Sequence, residues 1–233
     1  MDETTRDVLR SVMDAFKDFS YIPPEDIPDI PLYMDQITTF MDAKLAACKR
    51  YSDDKILTKT MINNYTKNKL LPPPEKKKYS RDHLLLLIFI YYLKDFLSIS
   101  DIQTLLRPLE DGHFKVSDSI TMPEVYQEVF DLIHSQTGYM SKDLLRRWKM
   151  AENSFSDAPE ESEAYLHLFA FVCLLSFDVY VKKKLIETVV DKISKPSEGI
   201  QETDKSDDIL KDMISELDED EFDFDEEDEE ELP

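Results

Sequence analysis

Glycine is scarce in this chain. Gly112, Gly138 and Gly199 are the only three in 233 residues. A strand-rich fold needs more turn punctuation than that, and three scattered glycines build no phosphate-cradling loop. Cysteine is scarcer still. Cys48 and Cys173 each stand alone in apolar surroundings, without metal-ligand spacing or a disulfide framework, which fits a reducing compartment. The four histidines, His83, His113, His134 and His167, are dispersed. With no nucleophile–base set, no metal cluster and no phosphate loop, the chain is expected to be a non-enzyme that uses no cofactor and no metal. The opening residues MDETTRDVLR lack the apolar core of a signal peptide, so a cytoplasmic location is expected.

Positive charge is also short, but only on average. The formal charge is -22, yet residues 197–233 hold 19 acidic and 2 basic residues, a net of -17. Between Lys55 and His83 the balance reverses, with eight basic and two acidic residues, a net of +6. Salt screens exposed charges beyond about 8–10 Å, so the local patch, not the total, decides what the central segment attracts. The tail reads as disordered and solubilising. A sharper reading has its carboxylates compete with phosphates for Lys76–Lys78.

What the chain has in quantity is helical periodicity, and the fold expected is mainly α. Helices are predicted over Asp2–Phe19, from Leu32 to Tyr51, over Lys59–Lys67 behind the N-cap Thr58, and from Ser80 through the apolar run Leu84–Leu93. Another starts at the Ser98/Asp101 capping box and stops at Pro108. Beyond it, Arg107–Ser119 reads as a linker. Further helices are expected at Met122–Ser135, Ser141–Ala151 and Glu163–Ile193, with a weaker one at Asp204–Leu217. The four prolines of Ile22–Pro31 read as an extended linker. Trp148 reads as a core anchor. The run from Tyr165 to Val181 is slightly short for a membrane span of about 20 residues and is broken by His167 and Asp178, so a buried or dimerising helix is expected instead.

In the Lys59–Lys67 helix, Met61, Ile62 and Tyr65 fall on one face; Thr60, Asn63, Asn64 and Lys67 fall on the other. Leu70 and Leu71 then lead into Pro72–Pro74, a turn at Glu75–Lys78, and Tyr79. A polar helix face with amides and cations suits a major groove: Asn63 and Asn64 offer amides that match adenine, while Lys59 and Lys67 suit phosphate. The wing cations Lys76, Lys77 and Lys78, with Tyr79 and Arg81, are expected along the backbone.

This order resembles the winged helix-turn-helix of MerR-type transcriptional regulators, whose runs L-R-Y-Y-E-K-x-G-L-L-x-P, Y-S/T-x-x-D/H-L and F-S-L-x-E-I have counterparts here. They are Ile62-Asn63-Asn64-Tyr65-Thr66-Lys67-Asn68-Lys69-Leu70-Leu71-Pro72, Tyr79-Ser80-Arg81-Asp82-His83-Leu84 and Leu97-Ser98-Ile99-Ser100-Asp101-Ile102. Asn63 replaces the usual arginine, Asn64 the first tyrosine, Ser80 the arginine after the wing tyrosine, and the glycine falls around Asn68 and Lys69. The run from Tyr33-Met34-Asp35-Gln36 through Leu70-Leu71-Pro72-Pro73-Pro74 is similar to the bacterial family DUF1836, whose name implies no activity. The MerR resemblance implies a DNA-binding transcriptional regulator, with double-stranded DNA as partner and a homodimer paired through the 163–193 helix. The alternative is a protein-interaction module that keeps the winged shape without DNA.

The domain organisation expected is 1–31, an N-terminal helix and Pro-rich linker; 32–110, the MerR-like winged helix-turn-helix; 111–196, a helical dimerisation or effector region; and 197–233, the acidic tail.

Overall fold

The computed structural model describes residues 3–18, 21–111, 115–117 and 120–194, and these residues are mainly helical. The acidic tail, the helix expected at Asp204–Leu217 and His113 lie outside them. The first helix, α1, spans Glu3–Asp18, close to the predicted bounds.

The core is built around α4, Arg81–Leu93. Every residue from His83 to Tyr91 is buried, so this helix has no solvent face. Ser80 caps it as expected, its Oγ accepting the His83 N–H at 3.4 Å. Around it lie α2 (Met34–Lys44), α3 (Lys59–Lys67), α5 (Ile99–Asp111) and the first half of α6 (Met122–Glu152). Ile37 and Met41 come from α2, Ile62 and Tyr65 from α3, Ile102 and Leu106 from α5, and Met122 and Tyr126 from α6. Each such side chain contributes roughly 1.5–3 kcal/mol of burial.

Residues 22–31 are not a free linker. Ile22 and Ile27 are buried in this core, a 3-10 turn covers Pro24–Asp26, and the Tyr126 hydroxyl donates to the Ile22 carbonyl at 2.7 Å. The prolines stiffen the strap while the two isoleucines anchor it. The predicted helix from Leu32 also begins later. Leu32–Tyr33 is a strand, β1, and α2 follows it, with Gln36 Oε1 accepting the Tyr33 N–H at 2.9 Å. Leu32 pairs with Tyr79 and Tyr33 with Lys78 of β2 (Lys78–Tyr79), antiparallel.

α5 starts at its Ser98/Asp101 box, with reciprocal backbone-to-side-chain bonds of 3.2 Å. It does not stop at Pro108 but runs on to Asp111. A proline costs the helix one N–H, and the turn closes around that loss. β3 (Lys115–Ser117), within the predicted linker, pairs antiparallel with β4 (Ile120–Thr121), just beyond it. α6 is one 31-residue helix rather than two. It passes through Gly138, around which no atom lies within 4 Å of a Cβ position; the glycine costs about 1 kcal/mol of helix propensity, too little to break it.

Trp148, Ala151 and Phe171 form a second cluster with Val8, Leu9 and Val12 of α1. Trp148 is the anchor expected, with its ring 4.9 Å from Phe171. α7 (Glu160–Ser194) crosses from this cluster back to α5, where Lys183 Nζ donates to the Phe96 carbonyl at 2.9 Å and Val190 is buried. Of the two expectations for α7, buried or dimerising, burial within the chain is not met between these two anchor points. Its most apolar 18-residue window is 6% buried, and by length and composition the helix could cross a membrane.

Candidate functional site

The site grows from how α3 starts and stops. Thr58 Oγ1 accepts the Met61 N–H at 3.1 Å, fixing the first turn. Ile62 and Tyr65 then turn inward, and helical geometry leaves Lys59, Thr60, Asn63, Asn64 and Lys67 exposed. The C-terminus closes with Leu70 N–H donating to the Tyr65 carbonyl at 2.8 Å and Lys69 N–H to the Thr66 carbonyl at 3.1 Å. That crossed pair is a Schellman motif, which puts Lys69 at the left-handed position usually held by glycine; its φ is 54°. Leu70 and Leu71 bury themselves immediately afterwards, so the chain leaves α3 in a fixed direction.

Pro72–Pro74 carry it outward to a two-residue hairpin turn. Lys78 N–H donates to the Glu75 carbonyl at 2.9 Å, with Lys76 at φ 48° and Lys77 at φ 66°. Positive φ at both central positions is the turn that matches strand twist, and Asn-Gly is its ordinary sequence. Here both positions are lysine. A non-glycine residue in the left-handed region costs roughly 1–2 kcal/mol. Lys69, Lys76 and Lys77 therefore sit at three positions where glycine or asparagine would be more stable. Such strain is a pointer to function when the side chains it displays share a surface.

Asn63, Thr66 and Lys67 of α3 line a cleft of about 290 Å³ together with Pro74 and Tyr79 of the wing. Thr60 and Asn64 are exposed on α3 outside that cleft. On the wing's other side, a cleft of about 550 Å³ is lined by Pro31, Tyr33, Glu75, Lys76, Lys78, Ser80 and His83.

The sequence-predicted residues do not all stand alike. Lys76 and Lys77 are exposed at the tip. Lys78 lies over the Tyr33 ring, 5.2 Å from its centroid. Lys59 is ion-paired with Asp35 at the start of α2, so a phosphate would have to displace that carboxylate. Tyr79 is 3% exposed and faces the core. Its neighbour in the strand, Lys78, takes the outer face, because alternate strand residues point to opposite sides. Arg81 is turned away too: its Nη2 donates to the Pro24 carbonyl at 3.1 Å and its guanidinium stands 3.7 Å from Asp29. Tyr79 and Arg81 hold the wing and the strap. Thr66 lines the α3 cleft, Tyr33 the cleft on the wing's other side, and Lys69 is exposed at the end of α3. Lys69 was signalled by the missing glycine near the end of α3; Tyr33 was hidden in a segment read as helix.

Residues 22–129 match DUF1836, a domain of unknown function. The match covers the strap, α2–α5 and the start of α6, and it names no activity. No curated protein and no solved structure matches the chain.

Replacing Lys69 by glycine, or Lys77 by glycine, should raise stability by about 0.5–1 kcal/mol each. Urea unfolding followed by circular dichroism measures this. Loss of stability in both variants would contradict the left-handed assignment.

Proposed function

We propose that residues 32–110 bind double-stranded DNA as a MerR-like winged helix-turn-helix and that the protein is a cytoplasmic transcriptional regulator without catalytic activity. One observation carries the reading: the amide-and-lysine face of α3 shares a cleft with the base of a wing whose tip presents two strained lysines. In this reading α3 enters the major groove. The side-chain amides of Asn63 and Asn64 are of the type that pairs with adenine N6 and N7. Lys67 and Lys69 approach phosphates beside the groove, and Lys76 and Lys77 reach the backbone from the wing, fixing register without reading sequence. The rigid triproline limits the entropy lost when the wing docks.

The rival reading, a protein-interaction module on the same scaffold, draws on Asp35 and Glu75, carboxylates that stand among the cations. The two readings separate on the outer face of α3. Under DNA binding, replacing Asn63, Asn64 and Lys67 together by alanine leaves the melting temperature within a few degrees and abolishes retention of duplex fragments. Retention by the unaltered chain should also fall roughly a hundredfold between about 50 and 200 mM salt, as the four phosphate contacts named require. Salt-independent retention, or none at low salt, removes the DNA reading.

The homodimer belongs to the same proposal, and α7 supports it. Tyr165, Phe169, Val172 and Tyr180 are each more than half exposed. Their spacing puts them on one stripe of the helix, about 23 Å long. Tyr165 stacks on Phe169 at one end and Phe177 on Tyr180 at the other. An antiparallel two-fold between Val172 and Cys173 lays one aromatic pair against the other. Lipid is the poorer cover. Asp178 lies mid-helix, bridged to Arg147 at 3.3 Å and Lys182 at 2.9 Å, and a charge at the centre of a bilayer costs about 2.5–3.5 kcal/mol. In a background carrying Cys48→Ser and Cys173→Ser, a mixture of the single variants Tyr165→Cys and Tyr180→Cys should form a disulfide between unlike chains, while each variant alone stays uncrosslinked. A monomer by sedimentation, or crosslinks between like chains, would contradict this pairing.

A further inference from the structure

Beside the β1–β2 pairing and the buried Tyr79, one ring joins the wing to the N-terminus of α4, that of His83. The ring is 7% exposed, and its Nδ1 faces two donors of Ser80, the backbone N–H at 3.1 Å and Oγ at 2.7 Å. A backbone N–H can only donate. Nδ1 must therefore be bare and the ring proton must sit on Nε2. The backbone of Pro73 and Pro72 lies near the ring and favours its holding a proton. Prolines have no N–H, so the groups that favour it are carbonyls, and Nε2–H is the donor that suits them. On its flank, the ring meets Tyr79 edge-on at 5.5 Å. One neutral imidazole thus ties the first turn of α4 to the triproline base and to the returning strand of the wing.

We propose that His83 is the positioning residue of the wing: unprotonated, it fixes the wing on α4, and taking up a proton releases it. Protonation places an N–H on Nδ1 against the Ser80 N–H, so the capping bond to the backbone is lost. It also puts a positive charge at the N-terminus of α4, where the helix dipole opposes it. The charged groups nearby are mixed. Arg81 on α4 and the wing lysines Lys76 and Lys78 oppose a cation; Asp82, Glu75 and, behind Arg81, Asp29 favour one. Tyr33 and Tyr79 also stand beside the ring. The open cleft beside Lys76, Lys78 and Glu75 reaches His83 and gives a proton its route.

Burial holds the ring below the ordinary histidine range, with the proline carbonyls pulling part of the way back. A depressed folded value means that the released form takes the proton first. The wing is then fully held above about pH 6.5, the ordinary histidine value, and loosens as pH falls through the interval down to the folded value. The effect on duplex affinity rests on the DNA reading above; the locking itself does not.

The experiment is a pH titration of the full chain, from about 8 to 5, by nitrogen-detected NMR of the histidine rings and of the amides of Lys76–Tyr79. The result expected is an Nε2–H tautomer for His83 at neutral pH and wing amides that shift with its midpoint. In the His83→Gln variant, glutamine restores a capping acceptor at the third helical position. Its wing amides should hold their neutral-pH positions throughout. An Nδ1–H tautomer at neutral pH, or wing amides indifferent to the His83 midpoint, overturns the inference, and so does a His83→Gln wing that still shifts. If the wing follows His83 while no duplex is retained at any pH, the positioning role stands and the DNA reading falls.

Discussion

A helix with no polar face has to be enclosed, and α4 imposes that constraint on its surroundings. Leu84–Ile90 are buried on every side, so α2, α3, α5, α6 and the strap at Ile22 and Ile27 are all committed to covering it. α3 meets the demand with only Ile62 and Tyr65 fully buried. Its remaining polar residues are pushed outward by the same packing that orients it. The wing is then fixed from below, by Leu70 and Leu71 before the prolines and by Tyr79 after the turn. The surface proposed for DNA is thus a consequence of what α4 requires, with its composition left free to carry function.

That freedom is used in an unusual way. Positions where the backbone takes a left-handed turn ordinarily go to glycine or asparagine. Lys69, Lys76 and Lys77 occupy three of them, and among the described residues none is ion-paired. The strain is small against the stability of a domain, which is about 5–15 kcal/mol, but it has no structural return: the hairpin and the helix end would each be better closed by another residue. A duplex would supply the return through phosphates. The single cation of the helix face that has a carboxylate beside it, Lys59, marks where such a partner would have to compete.

Much of this was legible in the chain, where local chemistry decided the outcome. Thr58, Ser80 and Ser98 announced three helix starts because a hydroxyl or carboxylate at the right offset satisfies orphan N–H groups wherever the helix is placed. The ten-residue apolar run announced a helix surrounded on most sides. The failures lie where tertiary packing decided. Pro108 read as a stop and a break was expected between Ser135 and Ser141, yet α5 runs on to Asp111 and α6 runs through Gly138, whose cost of about 1 kcal/mol is too small to break a helix. The prolines of the strap masked the anchors Ile22 and Ile27. Tyr79 and Arg81 look like neighbours of the wing lysines in sequence, but strand alternation turns Tyr79 inward, and Asp29 and the Pro24 carbonyl claim Arg81. α7 was legible as a long helix; that its aromatic stripe lies uncovered within one chain was not, since periodicity shows a stripe without showing what it meets.

The central claim is that the outer face of α3 and the wing tip form one surface for a duplex. A direct measurement is amide chemical-shift mapping of the full chain with a mixed-sequence duplex at low salt. The account predicts shifts confined to Lys59–Lys69 and Pro74–Lys78, with α6 and α7 undisturbed. Shifts concentrated on α6 and α7, or none at all, would contradict it.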